Sequence, residues 1–360
     1  NLIINASSTR FDLSGSGTHT VAGNLTITAG TLDTTTNNKD LTVGTDTDDG
    51  GATGHLRIKD DGELVCNSST VIVGSVYCQI AAGSNGTGFA ELNLPDSSGS
   101  FTVRGPEVSG YVFRLDNQAE CNHNGGTVTF SLTAENHPSI MDVTSLRGTG
   151  VNNILVTQSV RTSNGNALEF VGSDNVKGNL TLTGNGSESC IVDTNFNGAS
   201  LTVDGNVTVN NHSTFIKRTT NTGNYSFKSL TIASGGTFNA TQGTTTITGE
   251  NGSFALNNDG TFTHNKGKVN ITTANTVIGN TGTGNLYDLE INGLVQVPSG
   301  THTIDNNVTV ASGHTFSTNN LSTSLTVLGN VNVSGTFWRT DNTGTVTLGG
   351  LTINSGGLYR

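Results

Sequence analysis

The residues equipped for chemistry are few. Carboxylates come close together in two runs: Asp60, Asp61 and Glu63 in "KDDGE", and Asp116 and Glu120 in "RLDNQAE". Two carboxyl groups facing one bond, one protonated and one ionised, are what general acid–base cleavage of a glycosidic link requires. The first run, however, occupies a place where similar stretches of the chain carry turn residues such as Thr-Ala-Gly, which makes exposed turn carboxylates the plainer reading. Sugar-processing clefts also need aromatic platforms, and the single Trp, Trp338, follows directly on an apolar Phe. No catalytic residue is assigned, and the chain is expected not to be an enzyme.

Asp46, Asp48 and Asp49 in "DTDDG" have part of the pattern of a calcium loop, in which closely spaced oxygens wrap a hard cation and a Gly allows the turn. The full spacing and a distal Glu are missing, so a solvated acidic turn stands beside calcium as an explanation; no other cofactor is expected. Histidines occur in equivalent places, His19 with His302 and His123 with His264, without HxH or HxxxH spacing, and hydrogen bonding at turns is their expected role. Cys66, Cys78, Cys121 and Cys190 form no CxxC pair. Cys121 aligns with Phe262, which predicts buried thiols packed as small hydrophobes. Nucleophile-elbow, Walker and dinucleotide signatures are absent from the sequence.

The elements that must position these residues are written into the composition. With 48 Gly, 32% hydrophobic and 12% charged residues in 360, the chain has neither the apolar mass of a large core nor the charge of a disordered one. The net charge of −11 is spread along the chain, which argues against a nucleic-acid partner. No apolar run is long enough for a membrane helix, so membrane insertion is not expected. The sequence starts at Asn1 and stops within a repeat, as expected of a fragment of a longer chain. About fifteen N-x-[ST] triplets, such as those at Asn24, Asn206 and Asn307, follow from the abundance of Asn and Thr.

One phrase recurs: aliphatic-x-aliphatic, a few small polar residues, then an aromatic or Leu. It begins at Leu25, Leu56, Leu92, Val207, Leu230, Val308, Val331 and Leu351. Alternation with period two predicts short strands with one buried face, and β-branched Thr and Val favour the pleat. The closing aromatics give the pitch: Phe215, Phe238 and Phe262 are 23 and 24 apart, and Phe316, Phe337 and Tyr359 are 21 and 22 apart. The expected fold is therefore all-β, a parallel β-helix (β-solenoid) with roughly 21–24 residues per regular coil and about 15 coils, on the order of 70 to 75 Å long. Regular coils are expected over 1–44 and 179–360. Over 45–178, where Leu32 to Leu64 spans 32 residues and Leu64 to Phe101 spans 37, coils with longer loops or a capping segment are expected. Three of the four prolines, Pro95, Pro106 and Pro138, fall there, in keeping with loops or edges.

Coil phrases such as "GNLTITAGTL" and "GTFTHNKGKVNI" resemble those of virion fibre and appendage proteins of environmental bacteriophages, and of bacterial surface adhesins. The resemblance covers nearly the whole chain, lies in repeat style and maps no functional residue. It implies a structural segment of a virion fibre or appendage, at the virion surface or otherwise extracellular, serving as a rigid spacer or in host-surface attachment. An adhesin or extracellular filament subunit is the alternative. Implied partners are other virion or filament subunits in a homo-oligomer or multi-copy assembly, and a host-surface glycan or protein receptor. An ice-binding role would need unbroken outward ranks of Thr, for which Thr26, Thr208, Thr231, Thr309 and Thr352 are candidates.

Overall fold

A computed structural model describes residues 1–34, 38–44, 54–79, 89–105, 110–116, 119–132, 139–143, 148–158, 168–184, 190–194, 198–215, 220–318, 322–339 and 344–360. Strand follows strand throughout, and no helix occurs among the described residues. Among the described residues the pairings between strands are parallel, the pattern of a β-solenoid, with about 13 turns in all, close to the expected 15. The chain divides into two compact units, Asn1–Asn195 and Phe196–Arg360.

In the first unit one ladder runs from Leu2–Asp12 through Leu25–Asp33 to His55–Val65. The last of these forks: its first half pairs with Ser75–Gln79 and its second half with Glu91–Asp96. A second ladder climbs through Leu41–Val43, Thr70–Val73, Ser100–Val103 and Thr127–Ser131. The long spacing from Leu64 to Phe101 is thereby resolved, because these residues belong to different ladders. Leu64 stacks on Leu92 and then Cys121, whereas Phe101 stacks between Val71 and Val128.

The second unit carries the aromatic columns that the spacing predicts. Phe215, Phe238 and Phe262 pair in register, with ring centroids 4.9 and 5.7 Å apart and nearly parallel planes. Phe227 packs edge-on against Phe215 and Phe238 from across the interior. Phe316 stacks on Phe337 at 5.5 Å, and Phe337 meets Tyr359 edge-to-face at 5.3 Å. Like sits on like because equivalent positions of successive coils are separated by one strand spacing, about 4.8 Å. Outward ranks of Thr do not persist: Thr231 lies between Thr208 and Asn257, and Thr309 between Glu290 and Asn332.

An Asn that recurs at the start of several strands has a specific task. Asn1 Oδ1 accepts the backbone N–H of Asn24 at 2.8 Å, and Asn24 Oδ1 accepts that of His55 at 2.9 Å. Asn153 Oδ1 does the same for Asn179, Asn224 Oδ1 for Thr244, and Asn307 Oδ1 for Asn330, each at 2.9 Å. Asp40 and Asp288 take the same place toward Thr70 and Asn307. A side-chain oxygen thus satisfies a backbone donor of the neighbouring coil where the chain enters a strand.

Close coil-to-coil approach also fixes glycines at corners. Gly284 has φ +95, and a Cβ there would run into the Phe262 carbonyl oxygen. Gly284→Ala is therefore expected to destabilise the second unit through both strain and collision. Phe238 is fully buried and Thr231 faces outward. Phe238→Ala should cost about 3–5 kcal/mol, and Thr231→Ala well under half of that. Denaturant titration of the two variants checks the assignment of faces; equal costs would contradict it.

Candidate functional site

The carboxylates singled out above are sorted by the ladder into different environments. Asp61 is exposed, and Asp60 sits at φ +46 within the 11-residue strand His55–Val65. "KDDGE" is accordingly a bend within a strand, where the register to Leu25–Asp33 shifts, and not a turn between strands. Glu63 and Glu120, which come from the two separate runs, are brought onto one outward column with Glu91 between them. Glu91 carries no distinguishing signal in the sequence; the pairing of Leu64 with Leu92 alone puts it there.

Stacked carboxylates repel, and amides answer the repulsion. Asn93 Nδ2 donates to Glu63 Oε1 and to Glu91 Oε1, both at 2.9 Å, and Asn122 Nδ2 donates to Glu120 Oε1 at 3.1 Å. Thr31 Oγ1 donates to Glu63 Oε2 at 2.6 Å at the next rung of the column. Burial pushes the Glu91 carboxyl above its ordinary pKa, the Asn93 hydrogen bond opposes this, and the charges of Glu63 and Glu120 add to the rise. Each of the three carboxylates is held by neutral donors.

On the other side of the bend in His55–Val65, the outward faces of that strand, Ser75–Gln79 and Gly110–Leu115 form a second feature. Arg57, Tyr77 and Arg114 pair in register as an outward column. The Arg114 guanidinium lies over the rings of Tyr77 and Tyr111, with its carbon 5.1 and 4.5 Å from their centroids. Arg114 Nε is 3.1 Å from Asp116 Oδ1, so this candidate carboxylate is an ion-pair partner and lies apart from the Glu63–Glu91–Glu120 column. His55 Nδ1 and Ser75 Oγ are 2.5 Å apart. These side chains line an open groove of about 230 Å³. Burial raises the pKa of the Tyr77 hydroxyl, the Asp116 charge raises it further, and Arg114 opposes both.

The groove's aromatics are tyrosines that no recurring phrase contains. Register with Arg57 places Tyr77, and a bulge in Gly110–Leu115 places Tyr111: the register to Ser139–Asp142 shifts between Tyr111 and Phe113, so Val112 and Phe113 both turn inward and Tyr111 is left outside. Trp338 is also outward and 44% exposed, with Arg360 5.4 Å from its ring centroid.

Remaining candidates resolve into structure. Asp46, Asp48 and Asp49 lie outside the described residues, and among those described no group of three His, Cys, Asp or Glu side chains could hold a metal ion. His264 keeps the expected turn role, its Nδ1 accepting from Lys266 N at 2.8 Å, and it also stacks on Tyr287. His302 does not: it lies within the strand Gly300–Ile304, is nearly fully buried and contacts the Pro298 carbonyl through Nε2 at 3.1 Å. Burial lowers its pKa. A neighbouring cavity of about 20 Å³, lined by Phe262, Leu286 and His302 among others, has room for a single water. Among the described residues no helix is long and apolar enough to cross a membrane.

All four cysteines are buried thiols, as expected, and none is in a disulfide. Burial pushes the Cys121 thiol up to about 12 and raises Cys66 and Cys78 as well.

A scan against models of known protein families finds no match, and a search of curated proteins finds no relative.

Two measurements follow from these environments. A chromogenic disulfide reagent should find no reactive thiol in the folded chain and all four after denaturation; reaction in the folded state would contradict their burial. Because the folded state raises the Glu91 pKa, it holds the Glu91 proton more tightly than the unfolded chain does, and stability falls as pH rises through that pKa. Glu91→Gln should therefore unfold at a higher temperature than the parent at about pH 7, with the difference vanishing by about pH 4. A pH-independent difference would contradict the charge account.

Proposed function

We propose that this chain is a structural β-solenoid segment of a bacteriophage virion fibre or appendage, working outside the cell as a spacer and as a surface for host attachment. The observation that carries the reading is the way interior and corners are spent. Aliphatic and aromatic columns fill the inside of each unit, and Asn and Asp oxygens close the backbone ladder at coil after coil. Such stacks hold together coil by coil and carry outward side chains at fixed spacing. The similarity of the coil phrases to those of virion fibre proteins supports the virion setting, and the acidic, sparsely charged composition suits an exposed protein.

In this reading the carboxylates do no bond-breaking. Glu63, Glu91 and Glu120 accept hydrogen bonds from Thr31, Asn93 and Asn122, and Asp116 is paired with Arg114, which supports a non-catalytic role that needs no cofactor. Assembly partners are other copies or other virion subunits, and the receptor is a host-surface molecule.

Immunogold electron microscopy with an antibody raised to the chain tests the setting. Label on appendages projecting from virus particles is expected. Label confined to the cell envelope would overturn the virion reading in favour of an adhesin or extracellular filament.

A further inference from the structure

The groove on the first unit has more hydrogen-bond donors than the protein uses. Arg57 is exposed and has no hydrogen-bond or ion-pair partner among the described residues. Arg114 is ion-paired with Asp116, its Nε 3.1 Å from Oδ1 but without a hydrogen bond, and its flat face is given to two tyrosine rings; its guanidinium N–H groups donate no hydrogen bond among the described residues. The hydroxyls of Tyr77 and Tyr111 have none either. Two guanidinium groups stand in one outward column: Arg114 has the carboxylates of Asp116 and, at the next rung, Asp142 beside it, which leaves Arg57 as the cation of the groove without an ion-pair partner among the described residues. Arg114 is also oriented before any ligand arrives, since stacking between Tyr77 and Tyr111 fixes its plane.

We propose that this groove binds an acidic saccharide, with its carboxylate or sulfate on Arg57 and Arg114 and its pyranose ring against Tyr77 and Tyr111. Arginine forks match the flat oxygen pair of such anions, and the hydroxyls of a sugar supply acceptors for the two phenols. The aromatic walls meet the C–H faces of a pyranose. At about 230 Å³ the groove is below the size of sites that enclose a whole drug-sized molecule. It suits one ring and its substituent from an extended polymer lying across the coils. A folded protein partner would need a far wider contact, on the order of 800 Å² per side. His55, hydrogen-bonded to Ser75, forms the edge of the groove next to Arg57.

This inference names the ligand class for the attachment role proposed above and rests on that role. Isothermal titration of the whole chain with three probes tests it: an oligogalacturonate, a sulfated heparin-derived oligosaccharide and a neutral maltooligosaccharide. At least one acidic probe should bind about tenfold or more tightly than the neutral one, and the preference should shrink as salt is raised. Arg57→Gln should weaken that binding about tenfold or more without moving the unfolding temperature, because Arg57 has no partner to lose. Tyr111→Ala, also at an exposed position, should weaken it too. Failure of both acidic probes, equal binding of the neutral probe, or undiminished binding by Arg57→Gln would each overturn the proposal. The two readings fail separately: label on virion appendages with no acidic-saccharide binding would leave the fibre reading in place without this groove.

Discussion

Coil-to-coil register is the constraint on which each stack depends. A parallel ladder delivers each backbone N–H to the carbonyl of the coil beside it, but the chain must bend at every corner, and a bend takes donors out of reach of their carbonyls. The side-chain oxygens of Asn24, Asn153, Asn224 and Asn307 restore those bonds from one coil to the next. These bonds are exposed or part-buried, so each contributes about 0.5–1.5 kcal/mol and their weight comes from recurring in successive coils. The same closeness explains why Gly284 tolerates no side chain and why Phe rings at equivalent positions lie face to face.

Register also dictates what the outside can do. Positions that repeat at one strand spacing bring like residues together whether or not they attract. Phe on Phe is favourable, and Glu63, Glu91 and Glu120 on one column are not. The protein answers with Asn93 and Asn122 on the adjacent column, whose amides donate to the stacked carboxylates. In the Arg57–Tyr77–Arg114 column the alternation is itself favourable, since each guanidinium neighbours an aromatic position rather than another cation. The two columns lie on the same strand, His55–Val65, on either side of its bend, and differ because the ladder forks there.

The interior is chemically quiet by the same logic. Cys78 and Cys121 occupy positions that neighbouring coils fill with Ile58 and Leu92, and burial keeps their thiols protonated. His302 pairs with Leu325 in the core, and the same desolvation lowers its pKa against the opposing contact with the Pro298 carbonyl. Chemistry-bearing residue types placed inside such a stack act as packing, and outward positions are where recognition can occur.

By itself the sequence determined the all-β class, the parallel coil and the aromatic columns, because alternation and a pitch of about two dozen residues are local properties that any copy of the phrase displays. It also determined that the cysteines would be buried, since Cys121 replaces an apolar residue in an alignable copy. It pointed toward the Glu63 and Glu120 runs without joining them. Only the tertiary structure decided that they share a column with Glu91, because the fork after His55–Val65 sets which loop lengths are skipped, and a skipped loop leaves no periodic trace. The Tyr77–Tyr111–Arg114 groove is hidden from the sequence for the same reason: a bulge at Val112 turns Tyr111 outward, and residues 34 positions apart meet because a coil returned the chain to the same face.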